Sequence, residues 1–369
     1  MSELGFGFLR LPLTDPDNET SVDFRAVCAL ADRFLALGGN YFDTAYTYLG
    51  EISETVLREA VVKRYPRDQI RIADKLPTWL IKDPENWKTI FNCQLERCGV
   101  DFFDVYLLHG LDRENYEICL RCGLFDVLEG LRERGLARRI GFSYHDSPEL
   151  LDRILSEQSC VDCVQLQINY LDWESPAICA RRCWEVARKR GKAVLVMEPV
   201  KGGSLANPPA KAQARLEALR PERSMASWAM GFVRDLPGVE IVLSGMNALT
   251  QIEDNMQPLA PLSLEERSAL MEAAEIIRSD TAVACTGCGY CTAGCPRQIP
   301  IPRCFALYNE YMRSPKEKWK MEPAYAQLTA KLGRASDCIG CGQCQQSCPQ
   351  KLPVMEHLRA VAAAFEPRK

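Results

Sequence analysis

The spacing of cysteines near one end of the chain constrains it more than any other feature. Cys285-x2-Cys288-x2-Cys291-x3-Cys295-Pro296 recurs as Cys338-x2-Cys341-x2-Cys344-x3-Cys348-Pro349, every member displaced by the same 53 positions. Three thiolates so closely spaced wrap one cubane, and the fourth, placed before proline where the chain turns away, ligates the neighbouring one. The spacing therefore predicts one 4Fe–4S cluster on Cys285, Cys288, Cys291 and Cys348, and a second on Cys338, Cys341, Cys344 and Cys295. Zinc is the competing reading, but zinc takes tetrahedral sets of four, commonly as two separated CxxC pairs. Helical stretches are expected over 302–312 and 322–332 between the two motifs, and over Val354–Phe365 after them.

Eighteen cysteines are many for a cytosolic chain, where disulfides are rare, and the count points to metal or redox chemistry. The ten outside the motifs include Cys119/Cys122, Cys160/Cys163 and the helical pair Cys179/Cys183. These read as small buried thiols, since free cysteine packs as a hydrophobe. The net charge is −4, with both signs spread along the chain and no basic block, which argues against nucleic acid and anionic membranes as partners. No apolar run approaches the ~20 residues a membrane span needs. The first residues lack the basic and apolar regions of a signal peptide, so a cytoplasmic location is expected.

From residue 5 to about 256, short apolar strands alternate with amphipathic stretches. Strands are expected at 5–9, 40–43, 69–75, 103–109, 137–142, 162–168, Ala193–Met197 and 239–243. In Pro148–Glu157, Leu150, Leu151, Ile154 and Leu155 fall on one helical face. Eight strand–helix units over about 250 residues indicate an α/β fold, a (β/α)8 TIM barrel. No GxGxxG follows the first strand, which counts against a doubly wound sheet. Ser263-Leu264-Glu265-Glu266 is a capping-box start for a helix to about 278, after which cysteine, glycine and proline take over. The expected domains are a barrel over 1–260 and a small cluster-binding domain over 261–369.

Three candidate catalytic residues end strands: Asp43, Lys75 and His109; Tyr48 follows Asp43 by five positions. In such a barrel every strand's C-terminal end opens on one mouth, so these residues converge. This quartet resembles the tetrad of the aldo-keto reductase family, and the resemblance implies carbonyl reduction, in which a hydride delivered to a carbonyl carbon leaves charge on oxygen for Tyr48 to protonate. A phenol of pKa ~10 is a sluggish acid, but an adjacent Lys75 ammonium stabilises the phenolate and Asp43 holds that ammonium in place. His109 can hydrogen-bond the same oxygen.

Phe42-Asp43-Thr44-Ala45-Tyr46-Thr47-Tyr48, Ser53-Glu54, Lys75, Asp104–His109, Gly141-Phe142-Ser143, Gln165 and Gly245…Glu253-Asp254-Asn255 resemble the aldo-keto reductase family over most of residues 4–256. The tail resembles an α-helical ferredoxin-like domain, as in that family's iron–sulfur branch. The resemblance implies a tetrad of Asp43, Tyr48, Lys75 and His109 and nicotinamide-dependent carbonyl reduction. It also implies cofactor contacts at Ser143 and Gln165 for the carboxamide, and at Gly245 and Asn255 toward the adenine end. Lys201 faces either a pyrophosphate or solvent. Tyr144 replaces the usual Asn after that Ser, and Met197 stands where many members carry an aromatic ring. The segment 245–250 lacks a cation for a 2′-phosphate, so NADH is expected over NADPH.

Three functions follow from these readings. The first is an oxidoreductase acting on a small-molecule carbonyl or alcohol with NAD(P)H, its clusters exchanging electrons with a ferredoxin- or flavodoxin-type carrier. The second is a ferredoxin- or flavin-linked reductase without nicotinamide. The third is an electron-transfer protein on an inactive barrel, which the intact tetrad disfavours. Loops 77–83, 110–123 and 205–222 are expected to set specificity.

Overall fold

The structure is a computed structural model that describes residues 3–16, 18–313 and 318–366. All eight expected strands form: β1 (Glu3–Gly7), β2 (Tyr41–Asp43), β3 (Arg71–Pro77), β4 (Phe103–Leu111), β5 (Ala137–Tyr144), β6 (Cys163–Gln167), β7 (Ala193–Met197) and β8 (Val239–Ser244). They pair in parallel in sequence order and close through β1 and β8 into a barrel. Side chains on a strand alternate between faces, and one set packs as a buried core of Tyr41, Ala73, Val105, Leu107, Cys163, Leu195, Ile241 and Leu243. Asp43 lies two residues beyond Tyr41, Lys75 two beyond Ala73, His109 two beyond Leu107 and Gln165 two beyond Cys163. Polar residues thus continue the inward rows at the C-terminal mouth. Asp43 is the last residue of β2, whereas β3 and β4 run two residues past Lys75 and His109, and Pro77 pairs with His109.

The connecting helices follow local signals. Pro148–Glu157 begins where the Ser147 hydroxyl accepts from the Leu150 N–H, with proline in the first turn, and buries the four leucines and isoleucines of its apolar face.

The chain divides into two compact units. One comprises residues 1–174, 179–200 and 226–263; the other comprises 264–369 together with 175–178 and 201–225. Part of the stretch after β7, expected to belong with the barrel, is therefore counted with the tail. In this second unit helices span Leu264–Asp280, Ile301–Arg313, Lys318–Leu328 and Val354–Phe365. The helix expected at 322–332 lies four residues earlier. Gly333 sits against Arg297, where a Cβ would come within 2.0 Å of the Arg297 carbonyl oxygen, and its N–H donates to the Gln298 carbonyl. That anchorage turns the chain before Leu332, which is exposed.

The sequence repeat is also a backbone repeat. Gly287 and Gly340, Gly289 and Gly342, and Gln298 and Lys351, each pair 53 apart, all have positive φ. Short helices Tyr290–Ala293 and Gln343–Gln346 occupy matching places. The unit's core gathers Val283, Ile299, Phe305, Tyr325, Val354 and Leu358 with two motif cysteines, Cys291 and Cys344.

Candidate active site and cluster sites

The tetrad residues meet at the barrel mouth. Lys75, 1 % exposed, donates from Nζ to Asp43 Oδ1 at 2.6 Å and to the Thr44 carbonyl at 2.7 Å. The same ammonium lies 4.8 Å from the centroid of the Tyr48 ring, and the His109 ring stands edge-on to that ring with centroids 5.7 Å apart. Burial pushes the Asp43 carboxyl up while the Lys75 ammonium pulls it down. Burial, reinforced by Lys75 and His145, holds the His109 imidazole well below its usual range. It is therefore neutral at physiological pH, and its Nδ1 has no partner among the described residues.

Several residues at this site carry no local signal in the sequence. Trp79, in the loop after β3, lies with its ring 5.1 Å from His109 and is 42 % exposed, an aromatic wall open to a ligand. Glu54, Asp74 and Cys98 bring their ligand atoms within 4.8 Å of one another behind Lys75. Burial pushes both carboxyls up, and the neighbouring Glu54 pushes Asp74 further, well above its usual range. The sequence pairs none of these residues; only closure of the barrel does.

Among the expected nucleotide contacts, Ser143 is buried and its hydroxyl accepts from the Gly110 N–H at 2.8 Å. Gln165 Oε1 and Asn255 Oδ1 are buried acceptors without a donor among the described residues. Amide oxygens left this way fit the amino groups of a nicotinamide carboxamide and an adenine. The Tyr144 hydroxyl donates to the Ser147 carbonyl at 2.6 Å. Gly245 packs against Arg10: a Cβ there would stand 3.3 Å from the Arg10 Cβ, and the Arg10 guanidinium is held by Glu198 at 2.7 Å. A cation thus reaches this segment from the loop after β1, outside the stretch where the sequence directs attention. Lys201 is counted with the second unit; it is buried and its Nζ donates to Gln350 Oε1 at 2.9 Å.

In the second unit Cys285, Cys288, Cys291 and Cys348 line one pocket, with Thr286 and Gln350. Cys295, Cys338, Cys341 and Cys344 line another. The motifs cross: each fourth cysteine serves the other cavity. Among the described residues, the one trio of potential ligands whose atoms lie within 4.8 Å of one another is Glu54, Asp74 and Cys98, so no three of these sulfurs approach so closely. Sulfurs on one zinc ion, each at ~2.3 Å, lie at most about 4.6 Å apart. The two sets are too widely spread for a single ion and fit a larger group such as a cubane. No disulfide joins any of the eighteen cysteines among the described residues, and six of the ten outside the motifs are buried: Cys98, Cys119, Cys122, Cys163, Cys183 and Cys304.

Known proteins resemble the chain in the same two parts. Residues 3–275 match the model of the aldo/keto reductase family, and residues 284–352 match that of a 4Fe-4S dicluster domain. An uncharacterised oxidoreductase of Schizosaccharomyces pombe is 25 % identical over 269 residues, 70 % of this chain and 81 % of the relative. An aldo-keto reductase of Mycolicibacterium smegmatis is 29 % identical over 61 % of this chain and 74 % of its own length. Among solved structures, an aldo-keto reductase from Bacillus halodurans superposes with a TM-score of 0.58 at 24 % identity, covering 73 % of this chain and 91 % of its own. One from Klebsiella pneumoniae, in complex with NADPH, gives 0.57 at 19 % identity over 73 % and 89 %. No helix among the described residues is long and apolar enough to cross a membrane. The chain belongs to the aldo/keto reductase family of oxidoreductases and ends in a 4Fe-4S dicluster domain.

Proposed function

We propose that this protein interconverts a carbonyl and an alcohol on a small molecule with a nicotinamide nucleotide, while two 4Fe–4S clusters exchange electrons with an external ferredoxin- or flavodoxin-type carrier. The observation that carries the reading is the buried Lys75 ammonium, fixed by Asp43 at 2.6 Å and lying 4.8 Å over the Tyr48 ring. When bound, the nicotinamide supplies or takes the hydride and the clusters carry single electrons. In the reducing direction the Tyr48 hydroxyl gives its proton to the substrate oxygen. Lys75 stabilises the phenolate that remains, because an opposite charge at this range favours the ionised form. Asp43 fixes the ammonium against that face. His109, kept neutral by burial, offers a hydrogen bond to the same oxygen and orients the carbonyl without competing for the proton. Ser143 and Gln165 take the carboxamide, and Gly245 and Asn255 the adenine end. Cys285, Cys288, Cys291 and Cys348 hold one cluster and Cys338, Cys341, Cys344 and Cys295 the other.

The NADPH in the Klebsiella pneumoniae reductase supports a nicotinamide nucleotide as the class of cofactor. NADH is preferred in this reading, because 245–250 brings no cation and the nearby Arg10 is engaged by Glu198. Eighteen cysteines without a disulfide among the described residues support a cytoplasmic setting. A second reading, in which the clusters or a flavin replace nicotinamide, draws on Tyr144 and on Lys201, which is engaged by Gln350. Titrating anaerobic protein with NADH, NADPH and reduced ferredoxin, while following cluster absorbance, separates the two. Bleaching by NADH is expected; bleaching by ferredoxin alone moves the assignment to the second reading. NADPH binding tenfold tighter than NADH, about 1.4 kcal/mol, overturns the nucleotide preference. Tyr48→Phe is expected to cut carbonyl turnover ~10²–10⁴-fold with iron content unchanged, and near-full turnover would remove Tyr48 from its role.

A further inference from the structure

Lysine seldom lies fully buried without a partner that needs its charge. Lys201 is 3 % exposed, has φ of +48°, and directs its Nζ to Gln350 Oε1 at 2.9 Å. Gln350, itself 6 % exposed, lines the cavity of Cys285, Cys288, Cys291 and Cys348, two residues past the last of these. The adjacent Gly202 fixes the approach. A Cβ there would lie 2.2 Å from the Thr286 carbonyl oxygen, so only glycine lets this loop sit against the turn between Cys285 and Cys288. All these residues belong to the second unit. The other cavity has a different setting. The cation in its lining is Arg297, which is exposed, and Cys341 is exposed as well. Water and salt screen an exposed charge far more than a buried one.

We propose that Lys201, acting through Gln350, is a positioning charge that raises the reduction potential of the cluster held by Cys285, Cys288, Cys291 and Cys348. The proposal rests on the cluster reading above. A cluster that takes one electron gains one negative charge, with no bond made or broken; the electron comes from a low-potential donor of the ferredoxin class. A fixed cation nearby favours that reduced form. Net charge, hydrogen bonding and burial are the levers that set such potentials. With its oxygen held by Lys201, the Gln350 amide is polarised at the cavity it lines. Lys201 thus serves the cluster and not a nucleotide pyrophosphate.

The test is an EPR-monitored redox titration of the anaerobically reconstituted full-length protein, with iron counted in every sample. Wild type holding two clusters secures the underlying reading; wild type holding none removes that reading before Lys201 is at issue. Lys201→Met is expected to lower one cluster's midpoint by at least the equivalent of a tenfold change in its reduction equilibrium, 59 mV for one electron. The second cluster should move much less, and Lys201→Arg should stay near wild type. The same fall should persist in a Cys341→Ala background, where the first cluster keeps all four cysteines. Should Lys201→Met lose the cluster, Gln350→Glu, which sets a carboxylate at the cavity with Lys201 still in place, is expected to lower the same midpoint. Unmoved midpoints at full iron content, equal shifts at both clusters, or an equal fall in Lys201→Arg would overturn the proposal. So would a weaker affinity for NADH or NADPH in Lys201→Met with both midpoints unchanged, which would return Lys201 to a pyrophosphate.

Discussion

The barrel and the cluster unit prepare their chemistry in opposite ways. At the barrel mouth the charged atoms have already found each other: Lys75 and Asp43, with side chains 1 % and 5 % exposed, are paired at 2.6 Å, and the Tyr48 and His109 rings are packed against them. The eight-stranded wall holds this geometry without help. In the cluster unit the eight sulfurs line two cavities with no three of them in close contact, and two motif cysteines form part of a small core. One site is organised by the fold; the other is a ligand set whose metal completes the fold. A metal site absent from the unfolded state lends its binding free energy to folding.

Iron removal gives the largest effect and the most direct way to break this contrast. Chelating iron under anaerobic conditions is expected to unfold the cluster unit while leaving the barrel folded. Hydrogen exchange should then rise toward unfolded-chain rates over Ile301–Arg313 and Val354–Phe365, while β3, β4 and β5 keep their protection. Unchanged protection in those two helices would show that their apolar core suffices alone. The matching change in the barrel is Lys75→Met. Taking one partner from a buried pair strands the other charge, typically at a cost of 3–5 kcal/mol, so the barrel's melting temperature should fall steeply and activity disappear. Lys75→Met with Asp43→Asn should recover much of the stability and none of the activity. If the single variant melts like wild type, the ion pair does not organise the site.

This contrast also governs what could be read from the sequence. The strands were legible because parallel strands buried on both faces are short apolar runs, and Asp43, Lys75 and His109 because a barrel sends every strand end to one mouth. The cysteine spacing carried both cavities, including the crossing of Cys295 and Cys348. Trp79 against His109, Arg10 against Gly245 and Glu54 against Asp74 were not legible, since each pair joins residues that only barrel closure brings together. Nor did local pattern show that 201–225 pack with the tail: that depends on Gly202 meeting Thr286, 84 residues away. The apolar Leu332 continued a helical period that the anchorage of Gly333 ends early.

The smallest expected effect is a difference in how the two units respond to pH. In the barrel, burial and the neighbouring Glu54 push the Asp74 carboxyl well above its usual range. Between the unfolded carboxyl's value of ~3.9 and this raised one, folded Asp74 keeps a proton that the unfolded chain has lost. Folding therefore takes up a proton. The group's contribution to stability falls as pH rises from the unfolded value toward the folded one. In the cluster unit Glu366 behaves in the opposite way. Partial burial works against its charge, but hydrogen bonds from the Ser336 N–H and the Tyr325 hydroxyl hold its carboxyl below the usual range. Its contribution is present above the unfolded value and lost as pH falls through the folded one. Asp74→Asn keeps an oxygen to accept the Lys75 N–H and gives up only the weak contact from the Cys98 thiol. The variant's barrel should gain on wild type as pH rises from the unfolded value of ~3.9 toward the folded one, with the two nearly level below that range. Melting curves across that range measure the gap. A constant offset would mean that Asp74 is ionised in the folded barrel, and that the acid pair behind Lys75 carries its full charge.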